Sequence, residues 1–578
     1  MRLDQIIQGM AIVDRRGRLD VDIGAITADS RRAGRGTLFV AVRGQKADGH
    51  RFIADAIERG AAAVLAEEWP TELDKKLGAN TPVVLVESTR RALALVAANF
   101  HGQPSRKLLI AGVTGTNGKT TVTYMLESII RASGRSVGVI GTVEARWGEK
   151  RVPVEHTTPD PVVLHGLLAQ MVADGVSHVV MEISSHALDQ HRVAQLALKV
   201  GGFTNLTQDH LDYHGDMERY GAAKRLLFSD VLHKSRARGR MAVVNADDAA
   251  AEGMAQAFPG KTLRVSMRAD ADADVCLLSS RATLDGTEAQ VRTPKGTFTL
   301  RMKLVGAHNV SNALVATGMA LAMGFSRARI ERGLSDLPGV PGRLERVPSP
   351  DGRTVFVDYA HTPDGLRNVI SALRPLVSGR VIVVFGCGGD RDKEKRPKMG
   401  RVVAELADLA VVTNDNPRTE RPEDIARQVE EGLRDMGWLS MGGEVRPKSY
   451  LVELDRRAAI RHAIQWLGKD DLLLVAGKGH ETYQIVGADK RSFDDREEAR
   501  RVLLGLPPPP PEPIQFPDTT GELDDDQLVE VVSAIESKSD TYAPLTVDLR
   551  TDDALEEVEA AEVVEANEAA GPPGDQKT

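Results

Sequence analysis

The stretch IAGVTGTNGKTT, residues 110–121, decides how the chain is read, because it is a phosphate-loop pattern with one glycine out of place. The common form G-x-x-x-x-G-K-[ST] asks for glycine five positions before Gly118. Val113 stands there, with Gly112 one position too early and Gly115 two too late. The surroundings are still those of an anion cradle. Apolar KLLIAGV feeds the loop, and TVTYMLESIIRASG follows with apolar residues at helical spacing and a glycine stop. Strand, glycine turn, Lys-Thr and helix aim backbone N–H groups and a helix dipole at one point. On this reading Gly115, Thr116, Asn117, Gly118, Lys119, Thr120 and Thr121 form the cradle. Lys119 neutralises phosphate and the Thr120 hydroxyl reaches Mg²⁺.

Working outward, the same phrase recurs: a short β-branched run, a polar or glycine-rich loop, then a helical pattern. SHVVMEISSH, TVFVDYAHTPD, RVIVVFGCGGDRD, LAVVTNDNPR and DLLLVAGKGHE all fit it. Continuous apolar strands alternating with helices predict an α/β protein with parallel sheets covered on both faces. Ligand groups in such sheets sit just past the carboxyl ends of strands, where the polar cluster of each of these segments lies.

At 578 residues the chain is too long for one core. Two Pro- or Gly-bearing stretches, NFHGQPSRK (99–107) and LPGVPGRLERV (337–347), divide it into expected domains 1–103, 104–338 and 339–506. A fourth segment, 507–578, opens with LPPPPPEPIQFP and carries 19 Asp and Glu against three Lys and Arg. Polyproline, one short amphipathic helix over DDDQLVEVVSAIESK and a disordered acidic end are expected there. The body, by contrast, is mildly basic, which suits anionic small substrates and equally a bland surface. Two cysteines, Cys276 and Cys387, exclude a disulfide scaffold and a cysteine zinc cluster. The N-terminus has no apolar signal region and no run reaches ~18 apolar residues, so a soluble cytoplasmic protein is expected.

Further clusters carry chemistry. Glu182 ends an apolar strand, where a carboxylate needs a hydrogen bond or a metal, and Mg²⁺ takes hard oxygen ligands. An N-cap or salt-bridge glutamate reads the same way. GGFTNLTQDHLDYHGDMERYGAAKRLLF holds Asp209, His210, Asp212, His214 and Lys224, a spacing open to zinc or to ordinary surface and core residues. FGCGGDRDKEKRPKMG (385–400) is a poor dinucleotide fingerprint, and Arg391 between Asp390 and Asp392 reads better as a carboxylate clamp. TNDNPR offers Asp415, Asn416 and the fork of Arg418. Arginine donors beside acidic acceptors suit a zwitterionic amino acid, or simply loop salt bridges.

Taken together, GTNGKTT, MEISSHALDQHR, NLTQDHLDYHG, AHNVSNALVA, PGRLE, DYAHTPD, DNPR and GKGHE closely resemble the Mur ligases of peptidoglycan synthesis, over roughly residues 20–500. That family's loop reads G-x-T-G-[TS]-N-G-K-[TS], so Gly112 is in its normal place. The resemblance implies three domains: one for the UDP-linked substrate, a central P-loop domain, and a Rossmann-like C-terminal domain that binds the amino acid. The acidic tail falls outside the pattern.

The implied reaction is ATP-dependent amide formation in peptidoglycan precursor synthesis, the cytoplasmic pathway behind cell wall, cell shape and division. The implied substrates are UDP-N-acetylmuramoyl-L-Ala-D-Glu and, from DNPR, meso-2,6-diaminopimelate. Lys119 and Thr120 are implied to hold ATP phosphates and Mg²⁺, with Glu182 as partner ligand, His210 as ligand of a second Mg²⁺, and Lys224 as a carbamylated metal ligand. Asn309, Arg343 and Asp358 match nucleotide positions. Ser30, in ITADSRR, faces the uracil nucleotide, with GQKADGHRF (44–52) nearby. Thr157, Thr158, Ser184, Gln190 and Arg192 match muramyl-dipeptide positions, whereas His156 stands where Asn is expected. Arg391, Asp415, Asn416, Pro417, Arg418, Gly477 and Glu481 match the diaminopimelate pocket, with Glu481 on the distal ammonium and Arg418 on the distal carboxylate. The alternatives are L-lysine as the added amino acid, a folylpolyglutamate-synthase-like ligase, and a P-loop switch or transport ATPase. For the tail, a protein-binding arm is the alternative to an inert extension.

Overall fold

The computed structural model describes residues 1–44, 47–69, 81–442, 445–487 and 489–507. Gln45 and Lys46 of the expected uridine segment, and the tail from 508 onward with its expected helix, lie outside the described residues.

Among the described residues three large sheets organise the chain, beside a two-stranded ribbon of Tyr483–Val486 and Asp489–Ser492. The first has five strands in the order Asp14–Arg16, Val83–Leu85, Ala63–Ala66, Thr37–Val40 and Ala25–Thr27. The second has eleven. Its parallel heart runs Lys261–Ser266, Met241–Asn245, Leu198–Phe203, Leu109–Thr114, His178–Glu182 and Val137–Ile140, flanked at both ends by antiparallel ribbons. The third has seven, and its centre is the parallel set Thr354–Asp358, Leu472–Ala476, Val381–Phe385 and Leu409–Val412.

The strand sequences explain the burial. Neighbouring residues of one strand point to opposite faces, yet in the central strands both kinds are apolar, so both faces must be covered. In the middle sheet Val180 joins one apolar cluster while Val179 and Met181 join another. In the third sheet Ile382 and Val384 face one cluster, and Val381, Val383 and Phe385 the other. Even in the small first sheet Val64 and its neighbour Leu65 divide in this way. The helix Lys119–Ala132 supplies much of one cover, burying Val122, Met125, Leu126, Ile129 and Ile130 at three- and four-residue spacing.

This arrangement positions the site. Loops leave the carboxyl ends of the middle strands at Thr114, Glu182 and Phe203, and those of the third sheet at Asp358, Ala476, Phe385 and Val412. The polar motifs of these two sheets begin there, as expected for parallel α/β sheets. Among the described residues no helix is long and apolar enough to cross a membrane.

Candidate active site

The phosphate loop keeps its shape through two glycines. Gly115 has φ +154° and a Cβ there would sit 1.9 Å from Thr204 Oγ1. Gly118 has φ +88°, and its Cβ would meet Asn312 Oδ1 at 2.2 Å. No side chain fits either place. The loop is gripped from the next strand end: the Asn117 amide donates to Asn205 Oδ1 at 2.9 Å, and Thr204 Oγ1 donates to the Asn117 carbonyl at 2.6 Å. Thr116 donates its hydroxyl to the Thr207 carbonyl and accepts from Tyr220.

Lys119 folds back on this loop, its Nζ donating to the carbonyls of Gly115 and Thr116 at 2.9 Å each. Among the described residues no carboxylate lies within ion-pair distance of it, and burial holds its ammonium below the ordinary lysine pKa. A half-buried cation with no carboxylate at ion-pair distance among the described residues, at a helix N-terminus, is built for an anion.

The next residue turns toward Glu182. Thr120 Oγ1 donates to Glu182 Oε2 at 3.0 Å and accepts from Arg343 at 3.4 Å. Glu182 also accepts from the backbone and hydroxyl of Thr142, at 2.9 and 3.0 Å. A hydroxyl and a carboxylate meeting at one strand edge form a hard-oxygen pair of the kind Mg²⁺ takes. The sequence reading missed Thr142, Thr204 and Asn205; their signal was position alone, each lying just beyond a strand end.

From Thr142 the network runs on to the expected dipeptide positions. Thr142 Oγ1 lies 3.1 Å from Thr157 Oγ1. Thr158 Oγ1 donates to the Glu182 carbonyl and accepts from the Ser184 amide. Arg192 donates to the Thr158 carbonyl and, through two nitrogens, to Gln190 Oε1. The five residues Thr157, Thr158, Ser184, Gln190 and Arg192 thus belong to one connected surface.

His210 adopts φ +54° with its amide on Asp209 Oδ1 and its Nε2 3.5 Å from Asp209 Oδ2, its side chain 46% exposed. Its ring stands edge-on to His186, 4.8 Å between centroids. Lys224 is 1% exposed, 4.2 Å above the Tyr220 ring, with no hydrogen-bond partner among the described residues. Burial, and then the charge of Lys119, hold its ammonium well below the ordinary value. The zinc alternative fails here. Asp212 is exposed, His214 is hydrogen-bonded to Ser185, and among the described residues no three His, Cys, Asp or Glu could hold a metal together.

Of the nucleotide positions, Arg343 reaches the phosphate loop, its guanidinium 4.7 Å above the Tyr359 ring and its Nε buried without a partner. Asn309 is spent on the Val305 carbonyl and on Asn312. Asp358 accepts from the Leu344 and Ala360 amides at 2.7 Å each, so it fixes the Arg343 loop; burial raises its pKa. A second link from the third sheet is Asp364, which accepts from Asn117 Nδ2 at 3.3 Å. Ser30 is buried on its own sheet's loop and, among the described residues, shares no hydrogen bond with either site.

The third sheet's loops build a separate cluster. Arg418, at φ +52°, donates to the Gly389 carbonyl at 2.8 Å. Asn416 Nδ2 donates to Glu481 Oε2 at 3.0 Å, and Pro417 gives its carbonyl to the Glu420 amide. Gly477 (φ +121°) donates to the Asp358 carbonyl, tying this cluster to the nucleotide side. Arg391, expected as a carboxylate clamp, lies beside Gly388, with its neighbours Asp390 and Asp392 bonded elsewhere. Arg391 is exposed, Asp390 serves Thr419, and Asp392 accepts from Glu394. Buried Arg396 takes the structural part, bonding Glu420, Gln428 and the Gly388 carbonyl. Arg456 does the same behind the cluster, donating to the Asn414 and Ala476 carbonyls while pairing with Asp495 at 2.7 Å. Lys478, also absent from the sequence reading although it sits inside GKGHE, donates to Glu481 and Asn416.

The Arg343 loop and the GKGHE loop touch. A Cβ on Gly342 (φ +65°) would sit 2.0 Å from the His480 amide nitrogen, so PGR and GKGHE pack backbone against backbone.

Three family descriptions match the chain: the Mur ligase family catalytic domain over residues 22–101, the Mur ligase middle domain over 113–320, and the Mur ligase glutamate ligase domain over 342–479. It is 45% identical over 485 residues to the UDP-N-acetylmuramoyl-L-alanyl-D-glutamate--2,6-diaminopimelate ligase of Geobacillus thermodenitrificans, covering 83% of this chain and 95% of that one. The protein of the same description from Syntrophomonas wolfei is 41% identical over 507 residues, covering 87% and 99%. A solved structure of a ligase with that description aligns with TM-score 0.61 at 30% identity, over 87% and 99% of the two chains. The fold is also that of a Thermotoga maritima MurF ligase in complex with ADP, at TM-score 0.53 and 20% identity, over 83% and 96%.

Proposed function

The chain belongs to the Mur ligase family, and from that premise we propose that it joins meso-2,6-diaminopimelate to the D-glutamate of UDP-N-acetylmuramoyl-L-Ala-D-Glu, with ATP converted to ADP and phosphate. The observation that carries the choice of amino acid is the C-terminal cluster. There the guanidinium of Arg418 faces the same loops as a buried Asp415 carboxylate oxygen that has no hydrogen-bond partner. A zwitterionic terminus satisfies both.

The chemistry follows from what a free carboxylate lacks, a leaving group. The D-glutamate carboxylate oxygen attacks the γ-phosphorus and the bond to ADP breaks, giving an acyl phosphate. The diaminopimelate amine then attacks the acyl carbon and phosphate departs. Gly115 to Thr121 cradle the ATP phosphates, and Lys119 stabilises charge on the transferring group. Asn309, Arg343 and Asp358 serve the nucleotide side. Thr157, Thr158, Ser184, Gln190 and Arg192 hold the muramyl-dipeptide, and Ser30 holds the uridine end. Asp415, Asn416, Pro417, Arg418, Gly477 and Glu481, with Arg391 at the exposed rim, hold diaminopimelate. Thr120 and Glu182 have the hard-oxygen donors for Mg²⁺, with His210 and a carbamylated Lys224 for a second ion. When bound, Mg²⁺ neutralises charge building on the phosphoryl oxygens. Lys224 suits carbamylation because burial without a partner favours its neutral amine, the form that attacks carbon dioxide. Reaction in the cytoplasm and domain limits at 103/104 and 338/339 complete this reading.

The deciding measurement is phosphate release from Mg-ATP and UDP-muramyl-dipeptide with each amino acid. Diaminopimelate should be turned over faster than L-lysine, and Arg418→Ala should raise its KM by about tenfold to a hundredfold. Faster turnover with L-lysine rejects the assignment.

A further inference from the structure

One charged side chain in the C-terminal site has no task in the reaction above. Lys478 is fully buried, with Nζ 3.0 Å from Glu481 Oε2, 3.1 Å from Asn416 Oδ1 and 3.6 Å from Asp415 Oδ1. Glu481 Oε2 accepts from Asn416 Nδ2 as well, at 3.0 Å, so this oxygen is already served twice. Asp415 is the opposite case. Its Oδ1 is buried and accepts no hydrogen bond, although the residue is only 7% exposed. A buried carboxylate oxygen with an ammonium at 3.6 Å but no hydrogen bond has room for a donor, and it marks where an incoming one belongs.

Charge then decides what that donor is attached to. Asp415 and Glu481 both pair with Lys478, and Arg418 stands on the Asp415 loop, while Arg391 and Lys490 are exposed and screened by solvent. A pocket balanced before its guest arrives suits a terminus that is itself neutral overall, with an ammonium for Asp415 and a carboxylate for Arg418. Without Lys478 the pocket would carry an excess negative charge and suit a lone ammonium.

We propose that Lys478 is a specificity-determining residue whose buried ammonium holds Glu481 and Asn416, leaves Asp415 as the acceptor, and balances the pocket for diaminopimelate over lysine. It acts through its neighbours and is a positioning residue. The inference rests on the ligase reading above.

The test compares kcat/KM for meso-diaminopimelate and L-lysine in the full-length enzyme, by phosphate release with Mg-ATP and UDP-muramyl-dipeptide. Lys478→Met should lower the diaminopimelate-to-lysine ratio by about tenfold or more, whereas Lys478→Arg, keeping the charge, should hold it within about threefold. Lys478→Gln provides a second uncharged chain should the methionine variant not fold. An unchanged ratio in the uncharged variants, or equal losses on both amino acids, overturns the proposal. Failure of the ligase reading looks different: the wild-type enzyme would then release phosphate with neither amino acid, and the specificity role would fall with it.

Discussion

The two ligand sites handle buried charge in opposite ways. In the middle sheet Lys119 and Lys224 are cations with no carboxylate within ion-pair distance among the described residues, both held below the ordinary lysine pKa by burial. In the C-terminal sheet the fully buried cations each have a carboxylate: Arg396 with Glu420 at 2.9 Å, Arg456 with Asp495 at 2.7 Å, and Lys478 with Glu481 at 3.0 Å. The first site is incomplete until a polyanion arrives, so ligand binding itself adds stability there. The second is complete in advance and reads its guest by shape and charge. Binding strength is concentrated in one and discrimination in the other.

Breaking a pair should therefore hurt, whereas removing a lone cation should not. The largest effect is expected from Asp495→Asn, which leaves Arg456 buried and uncompensated behind the Asn414 and Ala476 loops. A loss of about 3–5 kcal/mol in denaturant unfolding is expected. A change within about 0.5 kcal/mol would erase the contrast. Lys224→Met should do the reverse, raising stability by about 1–2 kcal/mol while phosphate release is lost. A less stable Lys224→Met chain would show that the Tyr220 contact outweighs desolvation.

The smallest effect is a slope. The Arg396 hydrogen bonds hold the Glu420 carboxyl at about 2, below the ordinary 4.5. A depressed carboxyl contributes stability that is present above its unfolded value and lost as pH falls through the folded one. Wild-type stability should thus drop between pH 5 and 2, with about 1 kcal/mol from this group after solvent screening. Glu420→Gln should be weaker at neutral pH, converge on wild type as pH falls, and be flatter across that window, as urea midpoints at several pH values would reveal.

Much of this was legible in the sequence. Apolar strands such as VIVVF and LLLVA announce coverage on both faces, and the polar loops that follow them are where the sites lie. The phosphate loop was legible through its context, despite the displaced glycine. What could not be read are partners supplied by sheet order. Asn205 grips Asn117 across 88 residues, and Asp495 reaches Arg456 across 39. Lys478 looked like any loop lysine until Asp415, Asn416 and Glu481 were brought around it. The Asp209–His214 segment was left open between zinc and ordinary residues, and the second holds, because close spacing along the chain does not aim side chains at one point.

Gly342 and Gly479 hold a last consequence. Their strands' neighbours place the loop of Arg343 and the loop of Glu481 in direct main-chain contact, with no side chain to cushion a shift. The two loops therefore share a wall. On the proposed assignment of these loops, a compound that displaces the wall from the Glu481 side alters the grip on ATP, and ATP alters its grip on the compound by the same factor. An inhibitor screen run without nucleotide would rank such compounds for a different protein from the one at work.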